Sequence, residues 1–539
     1  MKNLFDYYWE IVQKEPKTPT SGVAFMRGIR KRSAFLCRLC YLHLNVIAVM
    51  SFSAKLIRGE GIVFQQTLKV LGVVKTMFRQ LETQAFRKLS KNPVQLSEKR
   101  VDELLASEWE KFKATTLGSE LEYEIAKETL PLGVVSSFQH WDPYPISIVS
   151  AKGAWMTDVD GRELLDLSMG FGAMLAGHLN PVVVAEAKEA METGMLFVTP
   201  SPISRDAAER ICKRFSIDLV RFANSGTEAT MYAVRTARAF TGKDAVVKVE
   251  GGYHGSYDPL TVSAKPSLDK AGPADFPNAV VPEGANPGTV YVVPFNNLDS
   301  LEQIFKAHSS EIACFIVEPV LENLAIVLPD EGYLQGVRDL CDKFGIVLIF
   351  DEVKTGLTAG PHGAAQRIGV QPDLISLAKS IGGGLPLAAF GGKREIMQVV
   401  VDNKMPHFGT FNGNPLAMAG VRAIDKICTP EALAAAEAFN MQALTRISEI
   451  IDEYQLPAHT VGFGIKGCIT WSVEPVRNYR DYKATDFKIA ELSWLWSLNR
   501  GIITPPGLDE QWLISLAHGQ REIDLLVEDF RELAQALRA

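Results

Sequence analysis

The strongest constraint on the fold is a set of short, almost wholly apolar runs that each end in polar residues. Residues 312–320 (IACFIVEPV) and 345–353 (GIVLIFDEV) end in carboxylates, and residues 374–384 (LISLAKSIGGG) end in a lysine and a glycine loop. Strands buried on both faces have this composition, and helical stretches between them indicate a parallel sheet. Ligands of open α/β sheets bind beyond the carboxyl ends of the strands, so we expect the site there.

The change of texture along the chain predicts four parts. Its 539 residues are enough for two domains and an extension. We expect a helical N-terminal extension over residues 1–120, an N-terminal segment of the main body over 121–195, a large α/β domain over 196–425 and a smaller α+β domain over 426–539. The formal net charge of −7 and the lack of a basic stripe beyond the N-terminus argue against nucleic acid as a partner.

The N-terminal extension contains an uncharged run over residues 39–54 that follows a basic cluster. The run is shorter than the roughly 20 residues of a spanning helix, so we interpret it as a buried helix; contact with a membrane surface and a true span are the alternatives. Seven scattered cysteines favour reduced thiols and a cytoplasmic protein. We interpret Cys37 and Cys40 as part of an apolar helix, and we expect no metal site.

Lys379 is the candidate nucleophile. It lies between an apolar flank and a glycine loop, and a nucleophilic lysine needs the lowered pKa that desolvation supplies. A single lysine in a loop is more often an ordinary residue exposed to solvent. Whether Lys379 is a nucleophile therefore depends on the other residues predicted to lie near it. Asp351 closes the preceding apolar run, where a carboxylate can pair with the protonated ring nitrogen of a cofactor. A helix cap or a metal ligand would explain Asp351 equally well.

Ser225, Gly226 and Thr227 lie between a predicted strand and a predicted helix, an arrangement that can cradle a phosphate. An ordinary N-cap is the alternative. The sequence has no P-loop and no dinucleotide fingerprint, which disfavours ATP and NAD. Tyr253, followed by His254, ends another strand and could stack on a planar ring, or simply pack in a loop.

Six motifs occur together in an order that makes these residues more specific. They are NSGTEATMYAVRTAR (224–238), GGYHGSYD (251–258), EP (318–319), IFDEVKTG (349–356), SLAKSIGGGLPLAAFGGKREIM (376–397) and GTFNGNPLAMAG (409–420). Over residues 130–539 the chain resembles the class III aminotransferases of the fold-type-I pyridoxal phosphate (PLP) enzymes, and most of all their glutamate-1-semialdehyde aminomutase branch. The resemblance implies a PLP cofactor, a large mostly parallel sheet with a smaller C-terminal domain, and a homodimer.

The resemblance also implies a role for each matching residue. Lys379 would hold PLP as a Schiff base and later move a proton, and Asp351 would pair with the pyridine nitrogen. Val353 and Tyr253 would pack on the two faces of the ring, with His254 alongside. The phosphate would be bound by Ser225, Gly226, Thr227 and, from the partner subunit, Thr410. Glu318 would line the site near the cofactor hydroxyl.

Departures from the aminomutase pattern concern the substrate. Ser136 matches a serine that binds the substrate carboxylate in that branch, but Gln139 replaces the matching arginine and loses its bidentate guanidinium. Residues 264–289 replace the mobile glycine-and-serine loop. Glu510 matches a glutamate that helps the site accept neutral amines, although a solvated loop acid is the alternative.

We therefore predict a ping-pong aminotransferase that uses an amine or amino-acid donor and an aldehyde, ketone or β-keto acceptor. The alternative is a glutamate-1-semialdehyde 2,1-aminomutase-like isomerase, and racemisation, decarboxylation or a non-catalytic role rank lower. The apolar N-terminal extension suggests a lipophilic or carrier-tethered acceptor.

Overall fold

A computed structural model of the chain describes residues 85–505 and 511–539. The uncharged run 39–54, the Cys37–Cys40 pair and Glu510 lie outside these residues. Within the two described ranges, no helix is long and apolar enough to cross a membrane.

The described chain alternates helices and strands. The helices are α1 (Glu98–Thr115), α2 (Leu117–Ala126), α3 (Pro181–Thr193), α4 (Pro202–Phe215), α5 (Gly226–Thr241), α6 (Asp258–Thr261), α7 (Leu298–His308), α8 (Tyr333–Phe344), α9 (Gly363–Ile368), α10 (Arg394–Val401), α11 (Pro415–Ile427), α12 (Pro430–Glu453), α13 (Tyr479–Lys483), α14 (Phe487–Asn499) and α15 (Gln520–Arg538). The strands are β1 (Phe86–Leu89), β2 (Ile148–Lys152), β3 (Trp155–Asp158), β4 (Glu163–Asp166), β5 (Leu219–Ala223), β6 (Ala245–Val249), β7 (Val290–Val293), β8 (Ile312–Val317), β9 (Val347–Asp351), β10 (Leu374–Leu377), β11 (Ala388–Gly392), β12 (His459–Phe463), β13 (Lys466–Thr470), β14 (Ile502–Ile503) and β15 (Gln511–Leu513).

The central sheet has seven strands in the order β5-β11-β10-β9-β8-β6-β7. All are parallel except β11, which runs antiparallel to both of its neighbours. Strands β6, β8, β9, β10 and β11 are buried along their whole length, because helices cover both faces. The predicted mostly parallel sheet is confirmed, and the carboxyl ends of β5, β6, β8, β9 and β10 meet along one edge.

Two smaller four-stranded sheets flank the central one. The first, β1-β12-β13-β15, is antiparallel and packs against the long helix α12. The second has the order β14-β4-β3-β2 and joins residues from both sides of the central domain. The C-terminal part therefore mixes helices and strands, as predicted. The boundaries at residues 121, 196 and 426 stay predictions.

The described end of the N-terminal extension is not helical throughout, which corrects one expectation. Phe86–Leu89 form strand β1, which pairs with β12 in the register Phe86 to Gly462. Without this partner, β12 would be an edge strand with unpaired backbone groups. The short segment pairs with it and is therefore a strand and not a helix. Helix α1 then packs against α14, and Glu108 is buried between Arg500 and Asn499.

Candidate functional site

Asp351 and His254 form the buried centre of the site. Asp351 is the last residue of β9, and its Oδ2 lies 2.8 Å from His254 Nδ1. Its Oδ1 accepts hydrogen bonds from Val353 N at 3.0 Å and Ser376 Oγ at 3.2 Å. Both Asp351 and His254 are almost fully buried. Within the residues that the structure describes, His254 Nε2 has no hydrogen-bond partner. The pair thus fixes a carboxylate at the bottom of a cavity.

Lys379 lies two positions after the end of strand β10 and begins a short 3₁₀ turn. Its φ of 50° is left-handed, which a β-carbon disfavours, so the surrounding glycine loop and sheet hold it in place. Burial lowers the pKa of Lys379 to about 8, and the positive charge of Lys466 acts in the same direction. Three nearby carboxylates oppose this shift. A neutral amine is therefore available near neutral pH, as a nucleophile requires.

The turn between β5 and α5 forms a cradle. The Ser225 hydroxyl accepts from Glu228 N at 3.2 Å, and the Glu228 carboxylate accepts from Ser225 N, which together make a capping box. Gly226 allows close packing, since a β-carbon there would lie 3.0 Å from Val353 Cγ1. Thr227 Oγ1 accepts from Ser256 N at 3.1 Å. The first turn of α5 therefore faces the cavity with its amides, where a phosphate group would be favoured.

Glu318 and Tyr253 complete the rim and one wall. Glu318 Oε2 accepts from Asn323 Nδ2 at 2.8 Å, and its Oε1 accepts from Tyr253 N at 3.4 Å. Burial raises the pKa of Glu318 above its usual range. Tyr253 is 45% exposed and lines the cavity together with Val353. Both side chains are therefore available to contact a bound ring.

These side chains surround one cavity of about 300 Å³. Its lining includes all of the predicted cofactor residues except the one assigned to the partner subunit: Ser225, Gly226, Thr227, Tyr253, His254, Glu318, Asp351, Val353 and Lys379. A poised lysine, a buried carboxylate and an amide cradle are the donor set that PLP needs, and the volume lies within the range of ligand pockets. The residues present therefore fit the cofactor. Their individual roles stay predictions.

The structure does not bring three other predicted residues into this cavity. Thr410 is exposed on the loop before α11, consistent with a role that needs a partner subunit. Ser136 precedes a short 3₁₀ turn and does not line the cofactor cavity. Glu510 lies outside the described residues.

Sequence reasoning missed a buried ion pair beside the site. Lys466 Nζ lies 2.6 Å from Glu322 Oε2, with side-chain exposures of 3% and 0%. Lys466 begins β13 in the run GFGIKGCIT, and a charged residue in an otherwise apolar strand was the available signal. Lys248, equally hidden in AVVKVE, donates to Gly252 O at 2.8 Å and to Val262 O at 2.6 Å, which fixes the loop that carries Tyr253.

Comparison with known proteins identifies relatives over most of the chain. The family model for aminotransferase class-III matches residues 137–478. Glutamate-1-semialdehyde 2,1-aminomutases from Ignicoccus hospitalis and Thermomicrobium roseum are 36% and 38% identical, and each match covers 77% of this chain and 98% of the relative.

Solved structures share the fold. An omega-transaminase from Sphaerobacter thermophilus has a TM-score of 0.74 at 32% identity, covering 78% of this chain and 98% of that one. A glutamate-1-semialdehyde aminomutase from Pseudomonas aeruginosa, in complex with PMP, has a TM-score of 0.75 at 27% identity, covering 82% and 99%.

Proposed function

Because the chain belongs to the class III aminotransferase family of PLP enzymes, we propose that it moves an amino group from an amine or amino-acid donor to an aldehyde or ketone acceptor. Donor and acceptor would react in turn at the same cavity, in a ping-pong sequence. The observation that carries the proposal is the placement of Lys379 and the Asp351–His254 pair around one cavity. When bound, the cofactor supplies an aldehyde carbon and a ring that withdraws electrons.

Each residue of the cavity would have a separate role in the reaction. Lys379, with its pKa lowered to about 8, would take a proton from the substrate carbon and return it. Asp351 would hold a proton on the ring nitrogen, and His254 would keep that carboxylate in position through the 2.8 Å contact. Gly226 and Thr227 would anchor the phosphate at the start of α5.

The segment 264–289 supports transfer between two substrates over internal rearrangement. In the aminomutase branch that this chain resembles, a mobile loop guards the intermediate of the internal rearrangement, whereas the matching segment here is held at several points. Ser263 Oγ donates to Asn278 O at 2.9 Å, Tyr479 donates to Pro266 O, and Arg480 donates to Ala271 O at 3.0 Å. Gln139 in place of an arginine also weakens a site for the carboxylate of glutamate semialdehyde.

Isomerisation of glutamate-1-semialdehyde is the second candidate. The observation in its favour is the 36–38% identity to two aminomutases over nearly their whole length. Reactions with single substrates separate the two functions. A transferase treated with a primary amine alone should convert its bound cofactor from the aldehyde to the amine form, seen as loss of visible absorbance, and Lys379→Ala should not.

The purified enzyme would then be assayed for 5-aminolevulinate from glutamate-1-semialdehyde. Rapid formation of 5-aminolevulinate, together with no amine that changes the cofactor spectrum, would replace the transferase by the isomerase. If neither assay gives a positive result, both proposed functions are wrong.

We also propose a homodimer in which Thr410 reaches the site of the partner. The flanking Phe408 and Phe411 are 80% and 60% exposed, and large exposed aromatic side chains of this kind favour a subunit interface. Thr410→Ala and Lys379→Ala subunits should each be impaired alone, but mixed dimers should regain activity at one site. No gain on mixing, or a monomer in light scattering, would contradict the shared site.

The proposed compartment is the cytoplasm. Cys212, Cys314, Cys341 and Cys428 are free thiols in the structure, which suits a reducing environment. Contact of the N-terminal extension with a membrane stays a prediction, and flotation of the full chain with vesicles would test it.

A further inference from the structure

A second and larger cavity is lined mainly by residues that precede the cofactor site in the sequence. It measures about 690 Å³, is partly open to solvent, and is lined by α2, the segment 130–148, α14 and the turn 169–172. We call it the apolar chamber, because most of its walls are aromatic or aliphatic. Its main walls are Tyr123, Phe138, Trp141, Phe171, Trp494 and Leu498. A volume of this size is that of a pocket for a drug-sized ligand.

Two buried polar atoms at the chamber lack partners. Trp494 and Thr504 both line it and are only 6% and 8% exposed. In the described part of the chain, neither Trp494 Nε1 nor Thr504 Oγ1 forms a hydrogen bond. A buried N–H without an acceptor is costly and rare in folded proteins. A neutral oxygen of a bound ligand, such as a hydroxyl, ether or carbonyl, is the kind of partner that each of these atoms lacks.

The charges around the chamber argue against an anionic ligand. Its described lining contains no lysine and no arginine, and its only ionisable residues besides Tyr123 are Glu122, Asp166 and His178. His178 Nε2 lies 2.7 Å from Asp166 Oδ2, so that histidine is already paired. Gln139, also in the lining, offers a neutral amide. A carboxylate or phosphate would therefore find no basic side chain among the described lining residues.

The chamber adjoins the cofactor cavity. Phe171 and Ser168 line both the chamber and a narrow cleft that also contacts Lys354 and Lys466. Lys354 lines the cofactor cavity as well, and its Nζ lies 5.6 Å from the centre of the Phe171 ring. Phe138 packs edge-on against Phe171, with ring centres 5.5 Å apart. A substrate that reacts at Lys379 could thus extend past Phe171 into the chamber.

We propose that the apolar chamber binds the uncharged, apolar body of the amine or carbonyl substrate, while its reacting carbon lies at the cofactor. This inference rests on the proposed aminotransferase function and names the substrate class: long-chain or aryl-alkyl compounds that carry at most a neutral oxygen. Short dicarboxylates, whose distal acid would enter the chamber, are excluded as good substrates.

The first test compares primary amines of increasing length in the half-reaction with the holoenzyme. Burial of one methylene improves binding about fourfold, so octylamine should half-saturate at a concentration on the order of 100-fold lower than butylamine. Ala126→Phe would place a ring in the chamber from the end of α2 and should reduce this preference at least about tenfold. Ala106→Phe, at an exposed position of α1, is the matched control and should leave the preference unchanged.

The second test needs no catalysis. Calorimetric titration of the holoenzyme with octanol, which does not react, should show binding that butanol does not. Trp494→Phe keeps the ring but removes the orphan N–H, and it should weaken octanol binding about two- to tenfold. Trp109→Phe is the control in the same aromatic group, because the indole N–H of Trp109 already donates to Glu491 at 3.2 Å.

The two tests fail separately. If butylamine and octylamine convert the cofactor equally well and octanol does not bind, the chamber proposal is wrong and the transferase stands. If no amine converts the cofactor but octanol binds and Trp494→Phe weakens it, the chamber is a ligand site and the proposed function is wrong. Equal octanol affinity in the Trp494 and Trp109 variants would overturn the role given to the orphan N–H.

Discussion

Removal of the charge on Lys466 should raise the pKa of Lys379. At pH 7.5, an amine with a pKa of about 8 is roughly one quarter neutral, whereas an ordinary lysine is neutral in about one molecule per thousand. In Lys466→Met two changes act together. The positive charge that lowers the pKa is lost, and the carboxylate of Glu322, which raises it, is left without its partner at 2.6 Å.

The size of the effect follows from electrostatics inside a protein. Two charges about 10 Å apart interact by about 1–2 kcal/mol at an effective dielectric constant of about 20. Since one pKa unit corresponds to about 1.4 kcal/mol, we expect the pKa of Lys379 to move from about 8 to roughly 9. Near pH 7.5 the neutral fraction then falls almost tenfold. The rate at which Lys379 reacts with PLP falls when the pH drops below the pKa of Lys379. The same rate should therefore recover as the pH rises.

The assay is the rate at which added PLP forms its absorbance band on the cofactor-free enzyme, measured from pH 6 to pH 10. The midpoint of the rate should lie about one unit higher in Lys466→Met than in the parent. Lys466→Met with Glu322→Gln removes both charges, which act in opposite directions, so its midpoint should lie nearer that of the parent. This double variant should also be more stable than Lys466→Met alone, because the single variant leaves a buried charge unpaired, which costs about 3–5 kcal/mol.

A merely structural role for Lys466 predicts another outcome. Distortion of the site would lower the rate at every pH and leave the midpoint in place. An unmoved midpoint, or one that shifts to lower pH, would refute the electrostatic argument.

Three further perturbations test other parts of the structure. Asp351→Asn should reduce the amine half-reaction by about 10- to 100-fold, since a charge-assisted hydrogen bond is worth about 1.5–3 kcal/mol; unchanged stopped-flow rates would contradict the role of Asp351. Phe112→Ala should lower the free energy of unfolding by about 3–5 kcal/mol, because Phe112 is fully buried between Trp141 and Tyr144; denaturant titration would show it. Burial raises the pKa of Asp529 to about 6, so its unfavourable charge appears as the pH rises from about 4 to 6. Asp529→Asn should therefore raise the melting temperature at pH 7 but not at pH 4, and an equal effect at both would refute this linkage.

The parts of the fold that could be predicted from the sequence are those that burial dictates. Strands β8, β9 and β10 are buried on both faces, so their apolar composition made them visible, and the polar residues at their ends located the site. Strand β1 could not be predicted in the same way. The four residues FRKL have no periodicity of their own and become a strand only because β12 offers a free edge.

The site shows the same division. Asp351 ends β9, and Lys379 and the Ser225–Thr227 turn lie just after β10 and β5, so the strand pattern predicted that they share one edge of the sheet, and the six ordered motifs linked them to one cofactor. The Lys466–Glu322 pair joins residues 144 positions apart, and no local pattern links them. Thr410 illustrates a different limit, because it is exposed in this chain and its proposed role depends on a second subunit.

The two cavities suggest that the chemical reaction and the choice of substrate depend on different parts of the protein. The cofactor cavity concentrates charge: Lys379, Asp351 and Glu318 line it, and the Lys466–Glu322 pair lies behind. The chamber beyond Phe171 is built from aromatic rings and neutral groups. An arginine at position 139 would add a positive charge to that wall and so favour an anionic substrate. Gln139 adds none, so its neutral amide and the apolar walls both agree with the proposed preference for uncharged substrates.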